Sequence, residues 1–124
     1  MKPIIAIIMI LGLCYPTVAD EYKYYSGVEL LRGCKLSIKW TEGEKLGYDD
    51  ASKASVCVGY VQGVLDTYAG FHKESQLFCM PNGVTTYQVM RILIKYLNEN
   101  PEMLHDDAMF LILSGLRNVY PCGE

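Results

Sequence analysis

Four of the five cysteines, Cys34, Cys57, Cys79 and Cys122, stand at the ends of segments with helical periodicity, and this placement limits the chain more than any other feature. Two such segments between Cys79 and Cys122 meet at Asn100-Pro101-Glu102. Packed as an antiparallel hairpin, they bring their outer ends together and the two cysteines meet. Upstream, Cys34 falls near the end of one helical segment and Cys57 near the start of the next, so a second hairpin joins that pair. The competing Cys57/Cys79 bridge is limited by reach. A helix from Cys57 to His72 climbs ~22 Å at about 1.5 Å per residue, and the chain from Lys73 to Cys79 spans at most about 23 Å when fully extended. The favoured pairs are therefore Cys34/Cys57 and Cys79/Cys122. Each closes a loop long enough to contribute roughly 3 to 4 kcal/mol on the chain-entropy estimate.

A disulfide framework belongs to an oxidising compartment, and the N-terminus agrees. Met1-Lys2 is a short positive start, Ile4 to Leu13 an apolar run, and Thr17-Val18-Ala19 ends in a small residue suited to signal peptidase. We place the cut after Ala19, giving a signal peptide over 1–19 and one mature domain over 20–124. The apolar run falls well short of the ~20 residues that span a bilayer, so no membrane attachment is expected after cleavage. Cys14 follows Leu13, where a lipobox wants a small residue, and belongs to the discarded peptide. Buried free thiols or zinc are the alternatives to bridges. No cysteine pair is spaced C-x-x-C and His72 and His105 are not at ligand spacing, so neither a metal nor another cofactor is expected. With 11 Lys+Arg against 14 Asp+Glu, the chain is mildly acidic. That argues against a nucleic-acid partner.

Along the mature chain, Ser26 and Glu29 read as a capping box, opening a helix to about Leu36 that places Val28, Leu31 and Cys34 on one face. Residues 37–47 hold Trp40, two glycines and alternating charges without helical period. They read as an ordered loop, with Trp40 anchoring it to the core. A second helix starts at Asp49-Asp50 and continues to about His72, with Cys57, Val61, Val64, Leu65 and Tyr68 as its buried stripe. Gly59 and Gly63 lie one turn apart on a neighbouring face. Each costs on the order of 1 kcal/mol relative to alanine inside a helix, so two of them suggest a close backbone approach, either within the monomer or at a dimer seam. Thr85 and Gln88 open a third helix, with Val89, Ile92, Leu93, Tyr96 and Leu97 inward. Asn100 caps a fourth, with Pro101 and His105 in its first turn and Leu104, Ala108, Leu111, Ile112, Gly115 and Leu116 inward. The expected fold is all-α, a small four- to five-helix bundle of two antiparallel hairpins with two disulfides.

Catalysis finds little support. Once the four mature cysteines pair, no thiol is left to act with a histidine base. The pairs Asp49-Asp50 and Asp106-Asp107 are adjacent in sequence, so on a helix they point about 100° apart; they read as helix-start residues. The most polar connection, residues 70–76 with His72, Lys73, Glu74, Ser75 and Gln76, is the first candidate for contact with a partner. The loop carrying Trp40 is the second.

The same residues carry a family resemblance. Cys34, the run Cys57-Val58-Gly59-Tyr60-Val61-Gln62-Gly63-Val64-Leu65-Asp66, and Phe78-Cys79-Met80-Pro81 resemble the Rap1a/Tai immunity proteins of type VI secretion systems. Gly83-Val84-Thr85, Gln88, Tyr96-Leu97, Asn100-Pro101-Glu102, Leu104-His105, Ala108 and Pro121-Cys122 extend the likeness over nearly the whole mature chain. The resemblance implies a helical, disulfide-bonded periplasmic protein, usually a homodimer, that binds a toxin. In the best-understood members the toxin is a papain-like peptidoglycan amidase, and the immunity protein blocks its cleft. The alternative from a different class is a general periplasmic helper, a chaperone-like helical domain without a toxin partner.

Overall fold

The computed structural model describes residues 23–71 and 76–123. The signal-peptide reading and His72, Lys73, Glu74 and Ser75 lie outside the described residues. Four helices follow in order: α1 (Gly27–Thr41), α2 (Tyr48–Phe71), α3 (Thr86–Glu99) and α4 (Ala108–Val119), with a 3₁₀ turn at Pro101–Met103. No strand forms among the described residues, where Ser26 and Asp107 make an isolated bridge.

Both expected capping boxes start their helices. The Ser26 hydroxyl accepts from the Glu29 amide while the Ser26 amide donates to the Glu29 carboxylate at 2.9 Å. Thr85 and Gln88 do the same at α3. The apolar faces then meet in one core: Leu30 and Cys34 from α1, Cys57 and Val61 from α2, Val89, Leu93 and Leu97 from α3, and Leu111, Ile112 and Leu116 from α4. Both favoured disulfides are formed. Cys34–Cys57 has Cα atoms 5.2 Å apart and is wholly buried between α1 and α2. Cys79–Cys122, at 4.8 Å, joins the segment before α3 to the segment after α4, nearer the surface. Gly33 makes room for the buried bridge: a Cβ there would lie 2.7 Å from the Lys53 carbonyl oxygen and 3.2 Å from Cys57 Cβ.

Two expected boundaries are corrected. The helix expected to end near Leu36 runs on to Thr41, so 37–47 is not one loop. Ser37 and Ile38 continue the buried face, and the Thr41 hydroxyl donates to the Ser37 carbonyl at 2.9 Å. The helix stops where Gly43 takes φ 94°, a left-handed conformation that glycine adopts without steric cost. Trp40 therefore sits in the last turn of α1, 53% exposed, and does not anchor a loop to the core. The inward face is also carried by small residues, Gly27, Gly33, Cys34 and Ser37, which leaves Val28 exposed where burial was expected.

The second correction concerns α4. Asn100 makes no side-chain cap; its amide donates back to the Tyr96 carbonyl at 2.8 Å. The chain turns through Pro101–Met103, Leu104, His105 and Asp106, and α4 begins after Asp107, whose carboxylate accepts from the Met109 amide at 2.8 Å. His105 thus lies in a turn rather than in a helix. This turn has a packing reason. Gly27 N–H donates to the Asp106 carbonyl at 3.0 Å and Val28 N–H to the Leu104 carbonyl at 2.9 Å, while Ala108 N–H donates to the Tyr25 carbonyl at 2.8 Å. The turn therefore supplies acceptors to the free amides at the start of α1. A Cβ on Gly27 would lie 2.9 Å from the Leu104 carbonyl oxygen, so the docking requires glycine there.

Candidate functional site

The connection after α2 is held at both feet. Tyr68, in the last turn of α2, stacks on Phe78 with ring centroids 4.5 Å apart and planes 18° from parallel. Its hydroxyl accepts a hydrogen bond from the Leu77 amide. One residue beyond Phe78, the Cys79 amide donates to the Tyr120 carbonyl at 2.8 Å, and the Cys79–Cys122 bridge fixes the same point covalently. The helix ends at Phe71, and Leu77, Phe78 and Cys79 are bound to the bundle on the other side of the connection. Behind these residues lies a cavity of about 450 Å³ with Leu65, Tyr68, Phe78 and Met80 in its lining.

Apolar side chains at these feet face outward. Phe71 is 82% exposed and Leu77 is 42% exposed, while Gly70 and Gln76 are also exposed. Of the residues singled out in the sequence, Gln76 stands at the described edge of the loop. Trp40 belongs to a different place, the last turn of α1, and Tyr48, 94% exposed, opens α2 across the connection that follows. The Tyr68–Phe78 clamp escaped sequence reasoning. Its only trace there was an aromatic at the end of a buried stripe and another beside a cysteine.

Among the described residues a Cβ on Gly59 or Gly63 meets nothing within 4 Å, so no described neighbour approaches closely there. The two glycines line a shallow groove of about 430 Å³ between α2 and α4, with Val64, Tyr68, Met109 and Leu113 in its lining. Tyr68 belongs both to this groove and to the clamp, so the two features adjoin.

Titratable groups are placed as caps and surface pairs. The Ser26 amide, hydrogen-bonded to Glu29, holds that carboxylate below its ordinary value, against a smaller opposing effect of partial burial. The Lys53 ammonium does the same for Asp49. His105 lies 3.3 Å from Asp106 on the exposed turn before α4. Among the described residues no group of three or more His, Cys, Asp or Glu side chains could hold a metal ion. No helix among them is long and apolar enough to cross a membrane.

Compared with protein families, residues 26–122 match the model of the Rap1a immunity proteins. No curated protein matches the chain.

Proposed function

The chain belongs to the Rap1a immunity protein family, and from that membership we propose that it binds and inhibits a secreted effector, protecting the cell that makes it. The effector we propose is a type VI secretion peptidoglycan amidase of the papain-like kind, met in the periplasm after the signal peptide has been removed. The clamped connection after α2 supports this reading most directly. An amidase with a thiolate at the floor of an open groove is blocked by any rigid segment that fills the groove without being cut. The Tyr68–Phe78 stack and the Cys79–Cys122 bridge hold the two described ends of the connection, so that these ends need no further ordering on docking. Phe71 and Leu77 provide exposed apolar surface at the two ends, whose burial against a partner would favour binding. In this reading His72, Lys73, Glu74, Ser75 and Gln76 enter the effector's cleft.

We further propose that the groove floored by Gly59 and Gly63 is the seam of a homodimer. Each glycine costs about 1 kcal/mol in a helix, and no described side chain of the monomer fills the space they leave. A second copy packed there would use that space and cover the half-exposed Met109 and Phe110.

The test is inhibition. The mature domain, from Asp20 on, is titrated into peptidoglycan cleavage by the product of the gene beside its own. Cleavage should vanish at one immunity subunit per effector, and alanine changes across His72 to Gln76 should restore it. Undiminished cleavage in excess domain would reject the amidase reading and favour the general periplasmic helper.

A further inference from the structure

A second groove lies between α1 and α3 and shares no lining residue with the one between α2 and α4. Its space is about 530 Å³, with Ile38 and Ile94 in its lining. The rest of that lining includes Lys35 and Lys39 on α1, and Arg91 and Lys95 on α3. Each helix thus contributes two cations at i and i+4, about 6 Å apart along its axis, so two basic rails flank an aliphatic pair. Four of the 11 Lys+Arg residues of a chain with net charge −3 collect here. Like charges at i and i+4 cost a helix about 0.2–0.5 kcal/mol per pair, and the fold keeps two such pairs side by side.

Three carboxylates answer the four cations, Glu99 from within the same lining, and all three pairs are solvent-exposed. Lys39 meets Glu44 at 3.5 Å, Lys95 meets Glu99 at 3.9 Å, and Arg91 meets Glu42 while lying 4.8 Å from the Tyr87 ring centroid. Lys35 meets the neutral amide oxygen of Asn98 at 3.0 Å. Exposed pairs of this kind contribute about 0–1 kcal/mol each, so an incoming carboxylate can exchange with them at little cost.

We propose that this groove docks an acidic helical segment of a partner protein, as a surface separate from the loop after α2. The span from Arg91 to Glu99 is about 12 Å at helical rise, which matches two turns of a docked helix. Its apolar residues would rest on the part-buried Ile94 and on the methylene stems of the flanking lysines, over the buried Ile38, while its carboxylates meet the two rails. The aliphatic floor favours such a helix over a simple anion.

The probe is a 14-residue helical peptide with leucine on one stripe and glutamate on either side, titrated into the isotopically labelled mature domain. Amide shifts should move in the Lys35–Lys39 and Arg91–Asn98 stretches. Binding should weaken at least about tenfold in K35E/K95E, as expected when rim charges are reversed. K35Q/K95Q, which removes charge without adding any, should weaken it less while melting at the temperature of the parent. The proposal fails if the peptide moves no amide, if the same peptide with lysine for glutamate binds equally, or if the shifts fall around Gly59 and Gly63. Binding of phosphatidylglycerol vesicles at these residues, with none of the peptide, would overturn it in favour of a lipid surface.

Discussion

Glycines with the same side chain do opposite work in this chain, and substitution separates them. Gly33→Ala forces a Cβ to within 2.7 Å of a backbone carbonyl and should cost about 1–3 kcal/mol as an overpacking change. Gly59→Ala meets nothing among the described residues and should gain about 0.5–1 kcal/mol from helix propensity. Urea denaturation of dilute protein, where the monomer dominates, checks both signs; destabilisation by Gly59→Ala would show a packing partner within the monomer. The two disulfides differ in the same way. Cys34 and Cys57 are wholly buried while Cys79 is exposed, so mild dithiothreitol should open Cys79–Cys122 first. Mass mapping of alkylated peptides reads the order, and early labelling of Cys34 or Cys57 would contradict it. The pairings themselves were legible in the sequence because reach and helical rise depend only on chain length. The environment of each glycine was not, because a missing side chain does not announce what it makes room for.

At the level of elements, the sequence revealed starts better than stops. Ser26 with Glu29, and Thr85 with Gln88, carry their partners three residues away, so the signal is local and both helices begin where expected. The end of α1 was hidden because polar Ser37 occupies an inward position. The start of α4 was misread because Asn100-Pro101 is a sound local start signal that long-range docking of α1 overrides with a turn. Asp107→Ala should therefore cost about 1 kcal/mol by loss of the cap, whereas Asn100→Ala should cost distinctly less. Thermal melts of the two variants decide this, and the reverse ranking would restore Asn100 as the helix start. The α1 capping box also gives a pH dependence. The folded-state Glu29 carboxylate is lowered by the Ser26 amide, so its stabilisation is complete above the ordinary glutamate value of about 4.3 and is lost as pH falls through the lower folded value. Glu29→Gln should flatten the acid limb of the stability curve; an unchanged limb would show that other carboxylates dominate it.

For the molecule as a whole, the function proposed above gives the helical bundle and its two staples one task, to hold the two described ends of the connection after α2. The bundle was readable from periodicity and cysteine spacing, but the clamp was not, since Tyr68 and Phe78 meet across a chain reversal that no local pattern encodes. Phe71 and Leu77 lie outside that clamp, exposed at its feet, and their removal leaves the core intact. The most direct test is calorimetric titration of the mature domain with the effector encoded beside its gene, repeated with Phe71→Ala/Leu77→Ala. We expect a nanomolar complex with one effector per immunity subunit, weakened at least about tenfold in the variant, in line with the loss of apolar surface buried on binding, at an unchanged melting temperature. Absence of binding to that effector, or equal affinity of parent and variant, would contradict the account.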